Sequence, residues 1–188
     1  MKKIFLISIL CSSFVFADAK VYIGVLGGSS SETYSKPTSR TTTSPAAKVI
    51  LGYGNYKSYS IELGWIYNQN SQNYFSNNGS KDGVKYSLDL NLVKAFDLGG
   101  RIYPFFKLGI GGGYLNTDIT TSSSEVKSLN FSSFDAGGGF TYLLSKSFSC
   151  ELALTYKHRN YQKIDQASSG QSIASNVFTT LAGIIYRF

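Results

Sequence analysis

From Val84 to Leu92 every second residue is apolar: Val84, Tyr86, Leu88, Leu90 and Leu92 alternate with Lys85, Ser87, Asp89 and Asn91. A period of two separates the sets cleanly only on a strand, where successive side chains point to opposite faces. The same rule sorts Tyr59, Ile61, Leu63, Trp65 and Tyr67 from Ser60, Glu62, Gly64 and Ile66. It also sorts Phe148, Cys150, Leu152, Leu154 and Tyr156 from Ser149, Glu151, Ala153, Thr155 and Lys157. Beyond the first residues no run reaches the ~18 apolar residues of a transmembrane helix. The alternation predicts an all-β chain with strands near 21–29, 47–56, 58–68, 84–95, 101–115, 129–143, 147–160 and 176–188.

Connection lengths decide what kind of β protein this is. Tight turns at 55–58, 96–100 and 144–147 alternate with long Ser/Thr/Asn/Gly-rich segments at 29–45, 69–83, 116–128 and 162–175. A soluble sandwich or lipocalin-like barrel would bury the apolar face and show the polar one. The polar faces here, however, carry Glu62, Asp89, Lys107, Asp135, Glu151, Lys157 and Arg187. Charges of both signs on a surface-facing set need no alternating greasy partner of this size; facing inward, they need one another. An eight-stranded antiparallel up-and-down transmembrane β-barrel satisfies both faces, with apolar residues toward lipid and charges in the lumen. Most of the strands reach the 9–11 residues that a tilted crossing requires.

The ends of the chain fit export. "MKKIFLISILCSSFVFADA" has a basic start, a short apolar core and small residues, the order of a secretory signal peptide. Residues 1–19 are expected to be removed, with cleavage after Ala17 as the alternative, leaving a barrel over 20–188. Leu10 before Cys11 argues against a lipoprotein signal, and Cys150 alone has no disulfide partner. No Cys/His cluster offers a metal site and no cofactor is expected. The formal charge of +7 is scattered rather than clustered, which argues against nucleic acid and suits an anionic lipid surface. The last strand, "FTTLAGIIYRF", places Phe178, Ala182, Ile184, Tyr186 and Phe188 on one face. It should close against the first strand, because backbone groups in lipid must all be bonded.

Several stretches resemble the small eight-stranded outer-membrane barrel family of OmpA and OmpX. "YIGVLGG" at 22–28 resembles its first strand, "GYGNYKSYSIELGW" at 52–65 its second hairpin, "IYPFFKLGIGGGY" at 102–114 its fifth strand, and the final "YRF" its last residues. The resemblance covers nearly the whole of 20–188. It implies a bacterial outer-membrane location and a lumen network in which acids on strands three and seven, here Glu62 and Glu151, meet basic residues such as Lys107, Lys157, Arg159 and Arg187. It also implies that Tyr186 and Phe188 form the signal read by the outer-membrane assembly machinery.

Catalysis finds little support. The one histidine, His158, is followed two positions later by Asn160, where a lipid A deacylase of the His-Ser type would carry serine. "GIGGG" at 109–113 and "AGGGF" at 136–140 lead into no helix and no Lys-Ser/Thr pair, so they are not phosphate loops. The expectation is a non-enzymatic monomer surrounded by outer-membrane lipids and lipopolysaccharide. It would present loops, with Tyr34, Tyr74 and Phe75 as contact aromatics, to a surface ligand above a plugged lumen. The alternatives are a narrow porin-type channel and, less expected, a lipid A-modifying enzyme.

Overall fold

The computed structural model describes residues 19–35, 40–69, 75, 82–120, 125–162 and 173–188. The expected signal segment, up to residue 18, and Tyr74 lie outside the described residues. Eight strands follow one another: β1 (Lys20–Tyr34), β2 (Arg40–Gly54), β3 (Tyr59–Asn68), β4 (Lys85–Ala95), β5 (Ile102–Thr120), β6 (Glu125–Leu143), β7 (Phe148–Tyr161) and β8 (Ala174–Arg187). Each pairs antiparallel with its sequence neighbour, and β8 returns to β1 from Tyr22↔Arg187 to Tyr34↔Ser175. The barrel is closed, so no strand edge is left without a partner.

Burial is inverted relative to a water-soluble barrel. Outward residues such as Val25 (66% exposed) and Ile110 (63%) are apolar, while inward Asp89 and Lys107 are 2% exposed. Aromatic rings border this belt at both ends. Above, Tyr86 lies 5.9 Å from Trp65, 5.7 Å from Tyr67 and 5.4 Å from Tyr114. Below, Tyr186 lies 4.9 Å from Phe148 and 5.0 Å from Phe188. On β3 the eight steps from Tyr59 to Tyr67 rise about 26 Å along the strand, or about 20 Å along the bilayer normal at the usual tilt. That height matches the apolar band of a bilayer-spanning barrel.

Inside, the lumen is filled rather than open. Tyr22, Leu26, Ala46, Ile50, Leu181 and Ile185 pack together between β1, β2 and β8, and Val93, Ala95, Phe105 and Ala153 form a second cluster. An eight-stranded barrel is only wide enough for its own side chains.

The strands run further than the sequence reading allowed. The segment 29–45 was expected to be loop, yet Ser29↔Pro45 through Tyr34↔Arg40 pair as a ladder. Likewise β5 and β6 continue to Thr120 and Glu125, across a bulge between Asn116 and Ile119. Above the apolar belt water wets the outer wall, so alternation of greasy and polar residues vanishes there. The Thr-rich composition that still favours strands remains.

The tight turns face the other end. Asp97 accepts from Gly99 N at 2.9 Å, and Gly99 takes the positive φ (78°) that this turn needs. Lys57 from the β2–β3 turn reaches Asp97 at 3.2 Å. The Gly99 backbone hydrogen bond, then Lys57, holds the Asp97 carboxyl below its ordinary range, and Asp97 raises Lys57. The contact is therefore complete above the ordinary carboxylate range and lost as pH falls through the lowered Asp97 value. At the alkaline end it is complete below the ordinary lysine value and lost as pH climbs through the raised one. A carbon-detected NMR titration of Asp97 should show a depressed midpoint that rises part of the way back in Lys57→Gln. An unchanged midpoint in that variant would mean the pair does not form.

Candidate functional site

Strand parity turns all seven expected lumen residues inward. Glu62 (β3), Asp89 (β4), Lys107 (β5), Asp135 (β6), Glu151 and Lys157 (β7) and Arg187 (β8) are all buried. They do not gather around one centre. Lys157 Nζ lies 2.5 Å from Asp89 Oδ2, and Asp135 is its cross-strand neighbour. Lower down, Tyr22 OH donates to Glu62 Oε1 at 3.0 Å and Arg187 Nη1 donates to Ser149 Oγ at 2.7 Å. Lys107 lies over the Phe105 ring at 5.6 Å, and among the described residues no ion pair joins it to Glu62 or Glu151. Glu62, Glu151, Tyr22, Tyr56 and Arg187 line a cavity of about 20 Å³, room for roughly one water.

The densest polar centre is one that sequence reasoning passed over. Glu32, in the upper reach of β1, receives Lys85 Nζ from β4 and Arg159 Nη1 from β7, the latter at 3.0 Å. Its other oxygen accepts from Tyr161 OH at 2.8 Å and Ser175 Oγ at 2.5 Å. Lys85 also donates to Tyr34 OH at 2.5 Å. Four donors from three strands, β4, β7 and β8, thus converge on one carboxylate from a fourth, β1. Glu32 lay in a stretch read as loop; the even-numbered inward parity of Tyr22, Gly24 and Leu26, carried on to Ser30, Glu32 and Tyr34, is the signal that would have found it.

Apolar rings pack against this centre at the mouth. Tyr34, Leu115, Leu129, Phe131 and Tyr161 form one buried cluster, with Phe75 and Ile173 packed against it. Phe75 lies 5.6 Å from Tyr34 and 5.1 Å from Tyr161, and its N–H donates to the Asp82 carboxylate at 3.1 and 3.2 Å. Tyr34 and Phe75 were expected to face outward as contact residues; they turn into the mouth instead, because their rings find apolar partners there. His158 sits on the outer face of β7, half-buried, with Nδ1 2.8 Å from Asn176 Oδ1. Asn160 and not a serine stands two residues along that face.

A closed antiparallel barrel with a lipid-facing apolar belt, two aromatic borders and a charged, filled lumen is an integral outer-membrane β-barrel. The chain belongs to the outer membrane protein beta-barrel domain family, whose model matches residues 4–188. Among solved structures it is similar to Neisserial surface protein A, at 12% identity and a TM-score of 0.61, over 90% of this chain and 99% of that one. It is similar to OprG of Pseudomonas aeruginosa at 15% identity and a TM-score of 0.53, over 90% and 96%. It is also similar to Ail, the attachment invasion locus protein of Yersinia pestis, solved with the heparin analogue sucrose octasulfate. That likeness has 12% identity and a TM-score of 0.51, over 90% and 99%. These likenesses are of fold. No curated protein matches the chain in sequence.

Proposed function

We propose that this protein is a monomeric, non-enzymatic barrel that works through its cell-surface loops, with the lumen serving as a plugged support. The observation that carries this reading is the double closure of the upper mouth, the Glu32–Lys85–Arg159 centre against the Tyr34–Phe75–Tyr161–Phe131 rings. Loops between strands are where binding specificity is free to vary while the scaffold stays rigid. Lipopolysaccharide surrounds the upper wall, and a host or neighbouring-cell surface is the loop ligand we favour. Export rests on residues 1–19, and Tyr186 with Phe188 engage the assembly machinery.

The runner-up is a narrow porin-type channel, favoured by Lys48, Lys107, Glu62 and Glu151, which stand inside the wall without a direct ion pair among the described residues. Single-channel recording in a planar bilayer separates the two. With refolding verified by heat-dependent gel mobility, the native barrel should pass no steady current, and neither Glu62→Ala nor Lys107→Ala should create one. Steady openings that shift in either variant would transfer the assignment to the channel. Replacing residues 163–172 with a Gly/Ser segment should then abolish cell binding; unchanged binding on all four such loop replacements would remove the surface reading.

A further inference from the structure

The described residues of the lower rim are strongly basic, which points to a partner that the loop reading does not involve. Beyond the lower aromatic border the described residues include Lys20, Lys57, Lys94, Arg101 and Lys146, with Asp97 as the one acidic side chain. Asp97 is already engaged by Lys57. At the loop end the described residues offer two exposed basic side chains, Arg40 and Lys127, while Asp82 is buried in the mouth.

Geometry adds to the count. Lys20 at the start of β1, Lys57 in the β2–β3 turn and Lys146 in the β6–β7 turn line one concavity of about 500 Å³, together with Asn55 and Tyr56. The floor of this hollow is aromatic: Tyr56 stands edge-on to Tyr103 at 5.2 Å, and Arg187 lies over Tyr56 at 4.9 Å. Outside it, Lys94 rests on the Tyr59 ring at 3.9 Å. A lysine whose stem lies on a border aromatic holds its ammonium at the depth of lipid phosphates.

We infer that the lower rim is a binding surface for anionic phospholipid headgroups of the periplasmic leaflet, centred on the Lys20–Lys57–Lys146 concavity. The ligand is a phosphodiester carrying a net negative charge. Lys20 sits one residue beyond Val21, whose side chain faces lipid, and Lys57 and Lys146 lie in the turns that share its concavity, which brings the ammonium groups to the headgroup layer. Basic pockets at this depth favour anionic over zwitterionic headgroups, and salt weakens the preference.

The test is electron spin resonance on the native barrel reconstituted in phosphatidylcholine vesicles, comparing spin-labelled phosphatidylglycerol with spin-labelled phosphatidylcholine. The expected result is a roughly five- to tenfold preference for phosphatidylglycerol at low ionic strength, shrinking at high salt. The triple variant Lys20→Gln/Lys57→Gln/Lys146→Gln should bring the two lipids to parity while keeping heat-dependent mobility. The corresponding triple Lys→Arg variant should keep the preference, and Arg40→Gln/Lys127→Gln at the opposite end should leave it intact. Parity in the native barrel, a preference that survives the glutamine triple, or one lost from the loop-end variant would each overturn the assignment. Adding inorganic phosphate at matched ionic strength should not displace the labelled lipid; displacement would make the concavity a site for free anions and overturn the lipid reading.

Discussion

Glu32→Ala is expected to destabilise the barrel by about 3–5 kcal/mol, the cost of leaving buried charges without their counterion. Both Lys85 and Arg159 are fully enclosed at this point, and each has Glu32 as its ion-pair partner. Removing the carboxylate also takes away the acceptor of the Tyr161 and Ser175 O–H groups. Glu32→Gln keeps the acceptor and the shape but not the charge, so its loss should fall between native and alanine. Urea unfolding in vesicles, followed by the fluorescence of Trp65, the chain's only tryptophan, provides the scale. A shift under about 1 kcal/mol, the size of an exposed ion pair, would show that the centre is solvated rather than buried.

Gly139→Ala should also destabilise the barrel, for a steric reason. A Cβ at Gly139 would lie 1.9 Å from the Leu152 carbonyl oxygen of β7 and 2.8 Å from Phe105 Cζ. Backbone of a neighbouring strand cannot step aside without breaking its own ladder, so overpacking of this kind costs about 1–3 kcal/mol or more. At Gly27 the same added methyl meets nothing within 4 Å, so Gly27→Ala should be neutral or slightly stabilising. Equal urea midpoints for the two alanine variants would refute the packing described between β6 and β7.

The membrane-crossing parts of this fold were legible because lipid enforces a strict code. Leu88, Leu90 and Leu92 against Ser87, Asp89 and Asn91 assign the faces of β4 without any partner in view, and the pairing keeps that assignment. Outside the bilayer the code lapses. Ser30, Thr33 and Thr42 are polar whichever way they point, so the ladder joining β1 to β2 above the belt left no trace in hydropathy. The polar centre was hidden for the same reason. Its members are spread across positions 32 to 175, and only closure of the wall brings them together. Glu62, Lys107 and Glu151 could be placed on the inward face from parity alone. Which charges touch was not readable, because contact depends on the relative heights of non-neighbouring strands, set by the stagger of the whole barrel.

The wall of this barrel also ends at unequal heights. β4 stops at Lys85, opposite Leu115, whereas β5 continues through residues 116–120 and β6 rises beside it. Five further residues add about 16 Å along the strand and about 12 Å perpendicular to the bilayer. Among the described residues the wall therefore steps up from β4 to the β5–β6 pair. Whatever approaches along the barrel axis reaches the level of Thr120 and Glu125 before that of Lys85. An epitope inserted directly after Thr120 should be more accessible to antibody on intact cells than the same epitope inserted directly before Lys85.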